Sequence, residues 1–130
     1  YPKTKLLPHT LEILQYAREN FDYMFISSGV PMEEIKQLAT SNGVAGYFDV
    51  ILGTNSEYPS KREHFQKIID EHKPDMMVFV ADGLEDMKVA QEFGMTSIGV
   101  TTNRTKSELE EVGAIYVTYL GGVVPILKSL

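Results

Sequence analysis

Three short stretches carry side chains whose types and spacing suit phosphate chemistry. The first is Ser27, Ser28 and Gly29, which follow the nearly all-apolar run Tyr23-Met24-Phe25-Ile26. Two hydroxyls, a permissive glycine and the free N–H groups of a helix beginning just after them form a natural phosphate cradle. The same residues also suit a plain helix start, with Ser28 as the cap. The second is Asp82-Gly83-Leu84-Glu85-Asp86, after the apolar run 76–81. Carboxylates at a strand end and four residues on, in the first helical turn, point the same way and repel unless a cation or proton lies between them. Oxygen ligands of this kind suit Mg²⁺, which keeps several waters and needs few carboxylates. The structural alternative is an Asp82 cap, with Glu85 and Asp86 favoured by the helix dipole. The third is Lys61, after Ser60 at the start of a helix. Cations are disfavoured there, so Lys61 either neutralises a phosphate or carboxylate cluster, or is a solvated lysine beside Arg62.

The elements that must position these residues alternate along the chain. Leu11, Ile13, Leu14 and Ala17 stripe a helix over residues 9–20, and residues 23–26 read as a strand buried on both faces. Pro31 opens a second helix with Met32, Ile35, Leu38 and Ala39 inward, ended by Asn42 and Gly43. Residues 48–52 form the next strand. Ser60 and Glu63 have capping-box spacing, opening a helix that buries Phe65, Ile68 and Ile69. Residues 76–81 form the most apolar strand, and a helix over 84–93 is closed by Gly94. Then come a strand over 96–100, a short helix near 106–112, a short strand within 115–120 and a closing helix after Gly121 and Gly122. Strands alternating with helices predict a Rossmann-like, three-layer α/β/α domain with a parallel sheet over residues 1–130. In open parallel sheets ligands bind beyond the carboxyl ends of the strands, where all three stretches fall.

Composition narrows the function classes. Hydrophobic residues make up 43% and charged residues 23% of 130, ordinary for a globular chain. The formal charge of −6 argues against a nucleic-acid partner. No apolar run approaches the ~20 residues a membrane helix needs, and no signal-peptide pattern opens the chain. The absence of cysteine removes disulfides and thiolate zinc sites, so the expected compartment is cytoplasmic. His9, His64 and His72 show no metal-ligand spacing and read as surface residues.

In order, a strand ending in Ser27, a lone Lys61 and the D-x-x-x-D motif Asp82/Asp86 resemble the haloacid dehalogenase-like hydrolases and phosphatases. Tyr47-Phe48-Asp49-Val50-Ile51 is similar to that family's third strand, residues 90–100 to its following helix-to-strand passage, and residues 6–14 to the segment after its cap domain. The resemblance implies that Ser27 bonds the transferring phosphoryl group, with Ser28 and Gly29 offering backbone N–H groups. Lys61 would balance charge, Asp82 would ligate Mg²⁺, and Asp86 would ligate it or orient its waters. The implied partner is a small phosphorylated substrate. Ala81 stands where the family usually has glycine. The larger departure is the nucleophile, the first Asp of a D-x-D motif ending the family's first, central strand: this chain contains no D-x-D. Since the chain begins at Tyr1 and not methionine, the expectation is a core domain whose nucleophile strand and cap lie upstream, inactive alone. The alternative is a non-catalytic module of the same fold that binds a partner or small anion. A response-regulator receiver is disfavoured because Lys61 precedes the acidic pair. Without a central strand, the strands at 23–26 and 76–81 are expected to pair directly, in the order 96–100, 76–81, 23–26, 48–52, because Pro2, Lys3 and Lys5 suit residues 1–7 poorly to that slot.

Overall fold

Short β-rich runs punctuated by glycine, proline and hydroxyl residues, with amphipathic stretches between them, fold as local strand–helix–strand units. The computed structural model describes residues 9–102 and 104–130. They fall into two compact units, Tyr1–Glu71 and His72–Leu130. Residues 1–7, weighed above as a strand, lie outside the described residues.

In the first unit the order is α1 (Thr10–Asn20), β1 (Phe25–Pro31), α2 (Met32–Ser41), a 3-10 turn at Ala45–Tyr47, β2 (Val50–Thr54) and α3 (Lys61–His72). Arg18 ties the end of α1 to the segment before β2, donating to the Tyr47 carbonyl at 3.1 Å and the Asp49 carboxylate at 3.0 Å. The same Asp49 oxygen accepts from the Met24 N–H at 2.7 Å, so one carboxylate aligns the entries of both strands. α2 ends as its sequence requires, with Gly43 at φ 72 and the Val44 N–H returning to the Ala39 carbonyl. The core is Met24, Ala39, Val44, Leu52, Phe65 and Ile68, and the fully buried Phe65 meets Phe25 edge-on at 6.2 Å. Burying a side chain of that size contributes about 2–3 kcal/mol.

β1 and β2 are parallel, with Ser27 opposite Leu52 and Pro31 opposite Thr54. Four steps on β1 thus face two on β2, and Ser28, Gly29 and Val30 bulge out of the ladder. The strand was expected to stop at residue 26; instead pairing resumes at Pro31, and α2 begins at Met32. Gly53 makes this possible, because a Cβ there would lie 2.5 Å from the Val30 carbonyl oxygen and 2.6 Å from Met32 Cα.

The second unit runs β3 (Val78–Ala81), α4 (Leu84–Glu92), β4 (Thr96–Val100), α5 (Lys106–Glu111), β5 (Tyr116–Thr118), a 3-10 turn at Leu120–Gly122 and α6 (Val123–Ser129). Its three strands are parallel in the order β3-β4-β5. Phe79, Met87, Ala90, Ile98, Val100, Leu109, Val123 and Leu127 are its core. The buried Ser97 accepts from the Ile115 N–H at 3.0 Å, pinning β4 to the approach of β5. β3 is shorter than the run 76–81, and Met76 is exposed.

Alternating helices and parallel strands give the Rossmann-like α/β fold expected from the sequence. The expected direct pairing of the strands at 23–26 and 76–81 is not made: the described strands form two hydrogen-bonded sheets, β1-β2 and β3-β4-β5. The ladders that form join strands linked by a single crossover helix.

Candidate functional site

Ser27 is the last residue in continuous register before the bulge, so its side chain sits where the β1 backbone leaves the sheet. The Ser28 hydroxyl accepts from the Val30 N–H at 3.1 Å, a turn internal to the bulge. Ser28 is therefore not a helix cap: the N-cap of α2 is Pro31, which makes no side-chain cap bond. Gly29 is exposed, and its carbonyl accepts from Thr54 Oγ1 at 3.3 Å.

Lys61, the first residue of α3, donates from Nζ to the Ser27 carbonyl at 2.7 Å. The structure thus brings together two of the residues singled out in the sequence, and it gives a reason for a cation at a helix N-terminus. Ser60 and Glu63, paired by their spacing in the sequence, meet at the start of α3. The Ser60 hydroxyl donates to the Glu63 carboxylate at 2.5 Å, and this bond holds the Glu63 carboxyl below its usual range.

The first unit adds a residue that sequence reasoning placed on the surface. His64 is fully buried. Its Nδ1 lies 2.7 Å from Ser27 Oγ, and its Nε2 lies 2.8 Å from the Gly53 carbonyl oxygen. Burial pushes its pKa down, the Lys61 charge acts the same way, and the Gly53 bond and Glu63 oppose. The signal was present: His64 is four residues before Ile68 and adjacent to Phe65, on the face already assigned inward. His9 and His72 are exposed, as expected.

In the second unit Asp82 follows the end of β3 and Asp86 lies in the first turn of α4. Gly83, between them, is the extended N-cap of α4. A Cβ on Gly83 would lie 2.9 Å from Asp86 Oδ2, so the missing side chain leaves the room this carboxylate uses to fold back toward the strand end. Asp82 Oδ2 accepts from Thr102 Oγ1 at 2.7 Å. Thr102, two residues beyond β4, was not anticipated, although its hydroxyl stands just past a strand end. Among the described residues no group of three or more His, Cys, Asp or Glu side chains is placed to hold a metal ion. Two hard oxygen donors flanking a side-chain-free cradle nevertheless fit Mg²⁺, which takes one or two carboxylates and completes its shell with water and phosphate oxygens.

No helix among the described residues is long and apolar enough to cross a membrane. No curated protein sequence matches the chain. Residues 2–100 match the model of the haloacid dehalogenase-like hydrolases. Similar solved structures include a hydrolase of the haloacid dehalogenase-like family from Streptococcus pneumoniae, at TM-score 0.85 and 19% identity. A predicted phosphatase from Clostridium acetobutylicum gives the same two values. Each comparison covers 95% of this chain and 60% of the other. A predicted phosphoglycolate phosphatase from Haemophilus somnus matches at TM-score 0.82 and 17% identity, over 95% of this chain and 57% of its own. At these identities the likeness is one of fold, and the chain spans about 60% of the length of the first of these structures.

Proposed function

Because the chain belongs to the haloacid dehalogenase-like hydrolase family, we propose that it provides the phosphate cradle and the metal carboxylates of a Mg²⁺-dependent phosphatase acting through an aspartyl-phosphate. The observation that carries this reading is the 2.7 Å bond from Lys61 Nζ to the Ser27 carbonyl, which holds a cation beside a bulged, hydroxyl-bearing strand end. Ser27 would bind a phosphoryl oxygen, and the N–H groups of Ser28 and Gly29 would bind others. The N–H of Val30 is already turned to Ser28. Lys61 would offset the negative charge of phosphate and nucleophile at the same strand end.

Asp82 and Asp86 would hold Mg²⁺, with Thr102 fixing the rotamer of Asp82. When bound, the ion supplies Lewis-acid stabilisation of charge on the transferring group. The substrate would be a small phosphate ester. The covalent step requires an aspartate nucleophile, and no D-x-D motif is present in this sequence. The chain alone is therefore expected to bind without turning over.

The test has two arms. The first offers the chain an aryl phosphate with Mg²⁺, and turnover that disappears in Asp82→Asn would reveal a nucleophile this reading lacks. The second follows backbone NMR shifts during Mg²⁺ titration. Two carboxylates predict shifts confined to residues 82–86 with affinity of about millimolar order, lost in Asp82→Asn. Saturation elsewhere in the chain would contradict the metal assignment.

A further inference from the structure

The Ser27 hydroxyl, which the proposed function assigns to the phosphoryl group, is already hydrogen-bonded. It lies 2.7 Å from His64 Nδ1, while His64 Nε2 lies 2.8 Å from the Gly53 carbonyl oxygen. A carbonyl only accepts, so Nε2 carries a proton in every state that keeps this bond. In the neutral ring Nδ1 is then an acceptor, and the Ser27 hydroxyl must give it its proton. Ser27 turns only lone pairs outward, and a phosphoryl oxygen needs a donor. A second proton on the ring reverses the direction. Nδ1–H now donates to Ser27 Oγ, and the hydroxyl proton is released to face an anion.

We propose that His64 is a positioning residue that sets the direction of the Ser27 hydroxyl, so that an anion entering the cradle is bound together with one proton taken up by the imidazole. The proposal rests on the reading of Ser27 as a phosphate ligand. No covalent bond to a heavy atom changes: the ring gains a proton from solvent, and the serine proton swings from nitrogen to anion. Among the described residues, the groups facing the ring are Ser27 of β1, the Gly53 carbonyl of β2, the Tyr58 ring at 6.2 Å, and Lys61 and Glu63 of α3. Burial favours the neutral ring, so near neutral pH the uncharged tautomer prevails until an anion arrives. A buried histidine with one nitrogen on the Ser27 hydroxyl and the other on the Gly53 carbonyl is thus a proton store for the cradle.

Sulfate is the probe, because it remains a dianion across the working range and its own protonation does not intrude. Calorimetry on the full chain in two buffers of different ionisation enthalpy should find close to one proton taken up per sulfate bound near neutrality. Affinity read from the amide shifts of residues 27–29 should fall about tenfold per pH unit above the ring's pKa. His64→Gln keeps polar atoms for both Gly53 and Ser27 but cannot titrate, so its sulfate affinity should be weak and independent of pH. Sulfate binding at residues 27–29 without proton uptake would overturn the coupling and leave the cradle standing. Retention of the wild-type pH slope by His64→Gln would assign the proton to another group and overturn the proposal. No sulfate-induced shift at residues 27–29 anywhere from about pH 5 to 8 would remove the cradle reading and this proposal together.

Discussion

Gly53→Ala tests whether β2, the bulge and the start of α2 meet as closely as described. The added methyl carbon would lie 2.5 Å from the Val30 carbonyl oxygen, 2.6 Å from Met32 Cα and 2.7 Å from Met32 N. Carbon contacts are comfortable at about 3.5–4.0 Å, so the neighbours must retreat by most of an ångström. All three are backbone atoms, in the bulge just before the Pro31–Thr54 pair and in the first turn of α2, and none can rotate aside. Overpacking costs about 1–3 kcal/mol and occasionally more. Three simultaneous backbone contacts place this substitution at about 3 kcal/mol. For a chain of this size that lowers the melting temperature by about 10 °C. Thermal unfolding followed by circular dichroism measures it, and Gly29→Ala is the control. A Cβ at Gly29 meets nothing within 4 Å, so that variant should stay within about 0.5 kcal/mol of wild type. If Gly53→Ala melts with the wild type, the close approach that shapes the cradle is wrong.

Two further outcomes follow from named contacts. His64 has its pKa lowered in the folded chain, with burial the largest cause. Its contribution to stability is therefore complete above the unfolded value of about 6.5 and is lost as pH falls from there through the folded value, because the unfolded chain takes up the proton first. Urea midpoints should drop over that window in wild type, and His64→Gln should flatten that part of the profile; an unchanged slope would deny the buried neutral ring. Thr105 and Glu108 form the capping box of α5, with Thr105 Oγ1 accepting from the Glu108 N–H at 3.2 Å and Glu108 Oε1 accepting from the Thr105 N–H at 3.0 Å. Thr105→Ala should cost about 1 kcal/mol in urea unfolding and Thr105→Ser very little, whereas equal losses in both would point to the threonine methyl and not the hydroxyl.

Most of the fold could be read from the chain because its boundaries are marked by chemistry. Thr96–Val100 lies between Gly94 and two threonines and was placed to the residue; α4 and α5 were placed to within a residue at each end. The misreadings have separate sources. β1 was cut short because Ser28, Gly29 and Val30 break the apolar run, and only the pairing of Pro31 with Thr54 shows that the strand continues past them. The ladder between residues 23–26 and 76–81 was expected from the need to satisfy backbone groups, a need that fixes no particular partner. His64 was assigned to the surface for want of metal-ligand spacing, although its helical phase with Phe65 and Ile68 already turned it inward. Only the His64 error came from judging a residue by its type when the neighbouring period held the answer; the other two turn on pairings that no local pattern encodes.

The candidate site shows the same division between what a sequence marks and what geometry decides. A lysine at a helix N-terminus is unfavourable against the dipole, and that alone singled out Lys61. Its Nζ reaches back to the Ser27 carbonyl, and two residues on, Glu63 holds a carboxylate against the Ser60 hydroxyl at the same helix start. His64, next in line, presses a nitrogen against the Ser27 hydroxyl. The first turn of α3 therefore places a cation and a buried imidazole against one strand end. A helix start chosen for stability alone would carry acids and a plain cap. The cation and the buried ring cost stability there, and Ser27 is the residue both of them touch. Which way its proton points depends on two distances drawn from three elements, and no spacing in the sequence encodes that.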